Sequence, residues 1–257
     1  MITIDKLCYT SKLRYVNAGE KFAFAVITLL LCVISRSTAV ACIVLAVTGI
    51  LTVWKGGIPL FRYIRYMMIP LAFLILSTLA IIFHLSRTPM DLFAIPVGNW
   101  YITSSIATLQ YALQLILTAL ASVSCLYFLS LSTPIPGILE VLRKIHCPRI
   151  LIELMMLIYR FIFVLMNTAS AIITSQNSRL GNRTYKTSLK SFSSMASVLL
   201  LRSFKRANAL YDAMESRCYD GTLHVLSESA PPKLQHIVMI TIFELLLFLF
   251  VLKGFFL

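Results

Sequence analysis

Five apolar runs constrain this chain more than any other feature. They cover residues 22–34, 38–54, 67–83, about 105–131, and 237–252. A helix needs about 20 residues to cross the hydrocarbon core of a bilayer, so only the fourth run is comfortably long. The first is short enough for a re-entrant segment, and Ser35-Arg36-Ser37 is all that separates it from the second. Apolar residues make up 59% of the chain and charged residues 13%. Soluble domains have about half and a quarter, so the balance points to an integral membrane protein. The fold class expected is an all-α membrane protein of about five transmembrane helices, with a cytoplasmic block of amphipathic helices before the last span.

Charge orients the runs. The net charge is +13. In a membrane protein such an excess indicates loops facing an anionic cytoplasmic leaflet, and no nucleic-acid module is present. With five spans and the N-terminus inside, the short inside segments carry Lys6, Lys12, Arg14, Lys21, Lys55, Arg62 and Arg65; the outside carries Arg36, Arg87 and Lys253. The expected location is the cytoplasmic membrane, with the N-terminus and the polar block on the cytosolic side. The outside connection, 84–103, carries Trp100 and Tyr101, which suit a membrane interface. No small-residue cleavage site follows the basic N-terminal residues, so the chain is expected to be retained whole.

The organisation that follows is a membrane domain over 1–132, a helical domain over 133–236, and a final transmembrane helix over 237–257. The middle block holds thirteen basic residues, too many for a span. Thr133-Pro134 has the pattern of an N-cap with proline in the first turn. A short helix to about Ile145 follows, broken at Cys147-Pro148. Beyond it Glu153, Arg160, Asn167 and Thr174 recur every seven residues, on one face of a long and otherwise apolar helix. Gly181 reads as its stop. A second long helix is expected from about Ser188 to Arg217, with Leu200, Phe204, Ala207, Tyr211 and Met214 as an apolar stripe. Such stripes need a cover, and packing of the two helices on each other is the plainest one.

Both long helices end in Ser-Arg, at Ser178-Arg179 and Ser216-Arg217. An arginine near a helix C-terminus is commonplace, because the cation complements the dipole and the free carbonyls. Two such ends on consecutive helices suggest more, since a guanidinium offers five donors in a rigid fork to a carboxylate-lined groove.

The segment from Leu200 to Gly221, LLRSFKRANALYDAMESRCYDG, resembles the end of the transmembrane (T) component of energy-coupling factor (ECF) transporters, in its cobalt-type CbiQ branch. LIYRFIFVL at 157–165 and TPIPGILEVLR at 133–143 are similar too. The likeness covers about 21–221. It implies a coupling subunit that joins two ATP-binding-cassette ATPases to a CbiM-like substrate-binding membrane subunit, for uptake of cobalt or another transition-metal ion. A vitamin or other micronutrient system is the alternative. The family's two small-Arg-Gly triplets fall on Ser178-Arg179-Leu180 and Ser216-Arg217-Cys218, and neither has glycine in third place. That departure bears on the left-handed helix cap, not on the arginine contact. The resemblance also implies supporting roles for Tyr159, Arg160, Arg202, Met214 and Glu215. At the family's acidic-Pro-Arg lead-in to the first span, only Lys21 matches.

Other chemistry is sparse. No phosphate-binding G-x-x-x-x-G-K-[ST] loop, serine elbow or catalytic carboxylate pair occurs, so ATP hydrolysis is expected in separate subunits and no cofactor is implied. His84, His146, His224 and His236 lack metal-ligand spacing, and no metal site is expected. The six cysteines form no C-x-x-C pair. Glu244, midway along the last apolar run, is either an intramembrane polar group on a path or a hydrogen-bonded packing residue. A membrane-embedded interfacial enzyme using arginine and Asp220, and a self-contained carrier, are the readings from other classes.

Overall fold

The computed structural model describes residues 3–82, 84–86, 93–97, 100–221 and 231–256. Its helices are α1 Thr3–Thr10, α2 Ala18–Ser35, α3 Thr38–Ile50, α4 Leu60–Ile82, α5 Ile106–Ser132, α6 Ile135–Lys144, α7 Arg149–Ser178, α8 Tyr185–Glu215 and α9 Leu234–Phe256. A π-turn over Leu51–Lys55 prolongs α3. The molecule is an all-α membrane protein with one small exception. The connection after α4 carries β1 His84–Ser86, β2 Phe93–Val97 and β3 Trp100–Ser104, an antiparallel sheet with β3 in the middle.

Among the described residues six helices, rather than the five runs, are long and apolar enough to cross a membrane. Residues 22–54 form two of them, because Arg36 turns into the left-handed region at φ 45° and ends α2. The first span is also longer than its apolar run. Asn17 caps it by accepting from the Gly19 amide at 2.8 Å, and the helix takes in Glu20 and Lys21. The sixth candidate is α7. At the start of α6, Thr133 serves instead as the C-cap of α5, donating its amide to the Leu129 carbonyl. The Pro134 carbonyl accepts the first bonds of α6.

The chain divides into two compact units, residues 139–227 and residues 2–138 with 228–257. The larger unit is organised on α5, which packs against α1, α2, α3 and α4. One core joins Cys32, Val40, Ala41, Val44, Ala121, Cys125 and Leu247; small residues there let helices approach closely where lipid gives no hydrophobic drive. A second core sets the Phe24 and Phe128 rings edge to face, 5.4 Å apart.

Several polar side chains inside this unit are paired. Ser124 Oγ lies 2.7 Å from Tyr63 Oη and 2.5 Å from Thr48 Oγ1. Lys21, 4% exposed, donates from Nζ to the Ser132 carbonyl at 2.8 Å and to the Leu13 carbonyl at 2.9 Å. It thus holds a cation against the C-terminal carbonyls of α5. Glu20 accepts from the Lys233 amide at 2.9 Å and lies 3.3 Å from His236 Nδ1, placing a carboxylate at the start of α9.

Candidate functional site: two arginine-tipped helix ends

The smaller unit is built on the antiparallel pair α7 and α8. Its turn is fixed locally. Thr184 and Thr187 form a capping box that starts α8. Gln176 Nε2 donates to the Ser191 carbonyl at 2.8 Å, and Ser191 Oγ donates to the Gly181 carbonyl at 2.9 Å. At the far end Tyr219 Oη donates to Glu153 Oε2 at 2.6 Å. This bond pushes the Tyr219 phenol above its ordinary value of 10.0, because the carboxylate stabilises the protonated ring oxygen. Contacts at both ends show that the pairing runs the length of α7. From Glu153 to Arg179 that length is roughly 40 Å at 1.5 Å per residue.

The two helix ends share one geometry. At the first, the Gly181 amide donates to the Gln176 carbonyl at 2.8 Å and the Leu180 amide to the Asn177 carbonyl at 3.0 Å. At the second, Tyr219 donates to Met214 at 3.1 Å and Cys218 to Glu215 at 3.0 Å. Each is a Schellman motif, and the residue after each arginine is left-handed: Leu180 and Cys218 both have φ 57°. The cap that the missing glycines put in question is therefore formed without them. Gly181 fills a different need, since a Cβ there would stand 2.9 Å from Ser191 Oγ and 3.0 Å from the Gln176 carbonyl.

Arg179 and Arg217 are exposed, and among the described residues neither guanidinium makes a hydrogen bond or ion pair. The serines turn inward: Ser178 Oγ donates to the Thr174 carbonyl and Ser216 Oγ to the Ala213 carbonyl, each at 3.1 Å. Their role at the tip is compactness, and the free donors are the guanidinium groups. The tips lie at opposite ends of the pair, one at the turn and one beside the start of α7.

The other singled-out residues divide. Met214 is half-buried, and its carbonyl anchors the second cap. Glu215 is exposed and supplies the carbonyl bonded by Cys218. Tyr159 packs edge-on against Phe163 at 5.0 Å. Arg160 and Arg202 are exposed. The stripe on α8 is not the α7 contact: Leu200, Phe204 and Tyr211 are all exposed, while the half-buried Met195, Leu199, Leu210 and Met214 lie on the neighbouring face. Glu244, in the larger unit, is buried with Oε1 2.7 Å from Thr28 Oγ1. That hydroxyl also contacts the Phe24 carbonyl, and Glu244 Oε2 has no hydrogen-bond partner among the described residues. Among the described residues no three His, Cys, Asp or Glu side chains gather at one point. His146 is the left-handed residue ending α6, and His224 lies outside the described residues. Sequence reasoning missed Tyr219; the signal was an aromatic directly after the second triplet, with Glu153 at the start of the partner helix.

The apolar helices define a multi-pass membrane protein. The profile of the CbiQ cobalt transport protein family matches residues 10–228. An uncharacterized protein of Methanocaldococcus jannaschii is 33% identical over 244 residues, 95% of this chain and 90% of that one. The cobalt transport protein CbiQ of Salmonella typhimurium is 29% identical over 226 residues, 88% of this chain and all of that one. A putative fused cobalt transport protein CbiMQ of Methanocorpusculum labreanum is 31% identical over 253 residues, 98% of this chain and 41% of that one. The chain belongs to the CbiQ family, the cobalt-type transmembrane components of ECF transporters.

Proposed function

We propose that this chain is the non-catalytic coupling subunit of an ECF-type importer, with Arg179 and Arg217 each seated in a groove of one ATP-binding-cassette ATPase. The carrying observation is the repeated tip: two exposed guanidinium groups, free of partners among the described residues, at the same position of the same cap. A separation of roughly 40 Å along the pair suits two ATPase subunits better than one groove. Residues 133–236 are the coupling domain, on the cytosolic side with the N-terminus. Closure of the ATPases moves the tips, and the α7–α8 pair passes the motion to a substrate-binding membrane subunit. A CbiM-like subunit and a cobalt-ion cargo are the readings favoured by the fused relative and by the family. The chain itself carries out no hydrolysis.

In this reading α7 does not cross the membrane, although its length and composition allow it. It is paired end to end with α8, which carries Lys186, Lys190, Arg202, Lys205, Arg206, Asp212 and Glu215. Taking that many ionised groups through hydrocarbon costs more than the pairing returns.

The test is Arg179→Glu combined with Arg217→Glu, with co-purification of the ATPases and substrate uptake as readouts. Removing one partner of a desolvated ion pair costs about 3–5 kcal/mol, so ATPase association falls at least about 100-fold while membrane insertion is unchanged. Normal assembly and transport in the double variant overturns the proposal.

A further inference from the structure

Between the two tips, the α7–α8 pair has a second feature. Leu165 and Thr168 of α7, with Arg202, Lys205 and Arg206 of α8, line an open groove of about 310 Å³. The three cations sit at i, i+3 and i+4 on one helix face. Among the described residues none of them makes a hydrogen bond or ion pair. Like charges at these spacings destabilise a helix, so the cluster calls for a counter-anion. Thr168 cannot supply one, because its hydroxyl is neutral and gives its proton to the Val164 carbonyl at 3.0 Å.

The surroundings identify the anion. Leu201, 64% exposed, lies one helical turn from Lys205 on α8, and Ile162, 38% exposed, lies one turn from Leu165 on α7. A cationic groove with bare apolar side chains beside it matches an amphiphile, with an anionic head on the cations and acyl chains on the apolar surface. Guanidinium forks pair with phosphate through two parallel hydrogen bonds. For a multi-pass membrane protein, anionic lipid is also the nearest and most concentrated phosphate source.

We propose that the groove between α7 and α8 binds the phosphate headgroup of an anionic phospholipid through Arg202, Lys205 and Arg206. The lipid neutralises the cluster midway between the arginine tips. The proposal needs only the membrane setting of the chain and stands apart from ATPase docking.

The experiment is native mass spectrometry of the full chain in neutral detergent, titrated with phosphatidylglycerol or phosphatidylcholine. The wild type is expected to retain phosphatidylglycerol preferentially. The Arg202→Gln, Lys205→Gln, Arg206→Gln variant is expected to lose affinity by on the order of 100-fold, about fivefold for each charge, and to bind phosphatidylcholine as before. The charge-conserving Arg202→Lys, Arg206→Lys variant keeps the preference, and Lys205→Gln alone shows the single-charge loss, so misfolding of the triple variant does not blur the result. Equal retention of both lipids, or unchanged phosphatidylglycerol binding in the triple variant, overturns the proposal. So does displacement of phosphatidylglycerol by an equal concentration of inorganic phosphate, which marks a free-anion site. Protection of Lys205 from acetylation in pure phosphatidylcholine, arising only when partner subunits are added, assigns the groove to an acidic protein surface and overturns it too.

Discussion

Glycine at either triplet's third position should stabilise the tip it ends. Leu180 and Cys218 hold φ 57°, where an L-residue crowds its own Cβ against the following carbonyl at a cost of about 1–2 kcal/mol. Glycine removes that cost and adds back about 0.5–1 kcal/mol through the greater freedom of the unfolded chain. The Leu180 side chain is 67% exposed, so its loss takes little from packing. Leu180→Gly is therefore expected to gain about 0.5–1 kcal/mol locally, and Cys218→Gly the same. The amides to watch are Gly181 and Tyr219, which close the two motifs at 2.8 Å and 3.1 Å. Native-state hydrogen exchange of the detergent-solubilised chain should slow there by about two- to fivefold. The gains should add in the double variant, because the tips are far apart. Two controls set the sign. Leu189→Gly, at an exposed site inside α8, should cost about 1 kcal/mol and speed exchange. Leu180→Val puts a β-branched side chain in the left-handed region and should fray the first tip. If Leu180→Gly speeds exchange as Leu189→Gly does, the left-handed cap is not the form the tip takes, and the shared geometry of the two arginines fails with it.

Three further outcomes are expected. The phenol of Tyr219 is raised, so its bond to Glu153 contributes below the ordinary value of 10.0 and is lost as pH climbs through the raised one; the wild-type minus Tyr219→Phe phenolate absorbance should have its midpoint above 10.0, and Glu153→Gln should lower it. A midpoint at or below 10.0 refutes the contact. Lys21→Ala leaves the buried Ser132 carbonyl without its donor, the Leu13 carbonyl keeping the Val16 amide, and should lower bundle stability by about 1–3 kcal/mol in thermal unfolding, whereas a change under about 0.5 kcal/mol would show that the clasp is not formed. Burial pushes the Cys8 thiol up to about 11, so maleimide at neutral pH should modify exposed Cys218 first and Cys8 only after unfolding; early labelling of Cys8 would contradict its burial.

What could be read from the sequence follows from what the sequence records directly. Apolar runs register the bilayer, so the spans were visible, but their ends were not. Glu20 and Lys21 look like loop residues until the Lys233 amide and the Ser132 carbonyl are placed opposite them, and those partners are more than a hundred residues away. Six described helices are long and apolar enough to span because length and composition cannot see pairing. Residue by residue α7 is apolar enough to span, and only its end-to-end contact with charged α8 argues otherwise. At the tips the arginines were legible as residue types, while the left-handed turn was not, since neither leucine nor cysteine favours it. That turn follows from two amide bonds closing each helix end, a cost the local sequence disfavours and the motif overrides. The stripe on α8 shows the opposite case: its period was right and its partner wrong. Leu200, Phe204 and Tyr211 remain exposed because α7 takes the adjacent face, which leaves an apolar surface on one side of that contact and three unneutralised cations on the other. A chain that keeps both exposed on its most polar helix is shaped for contacts it cannot make alone, which is the expectation for a subunit whose function is to join others.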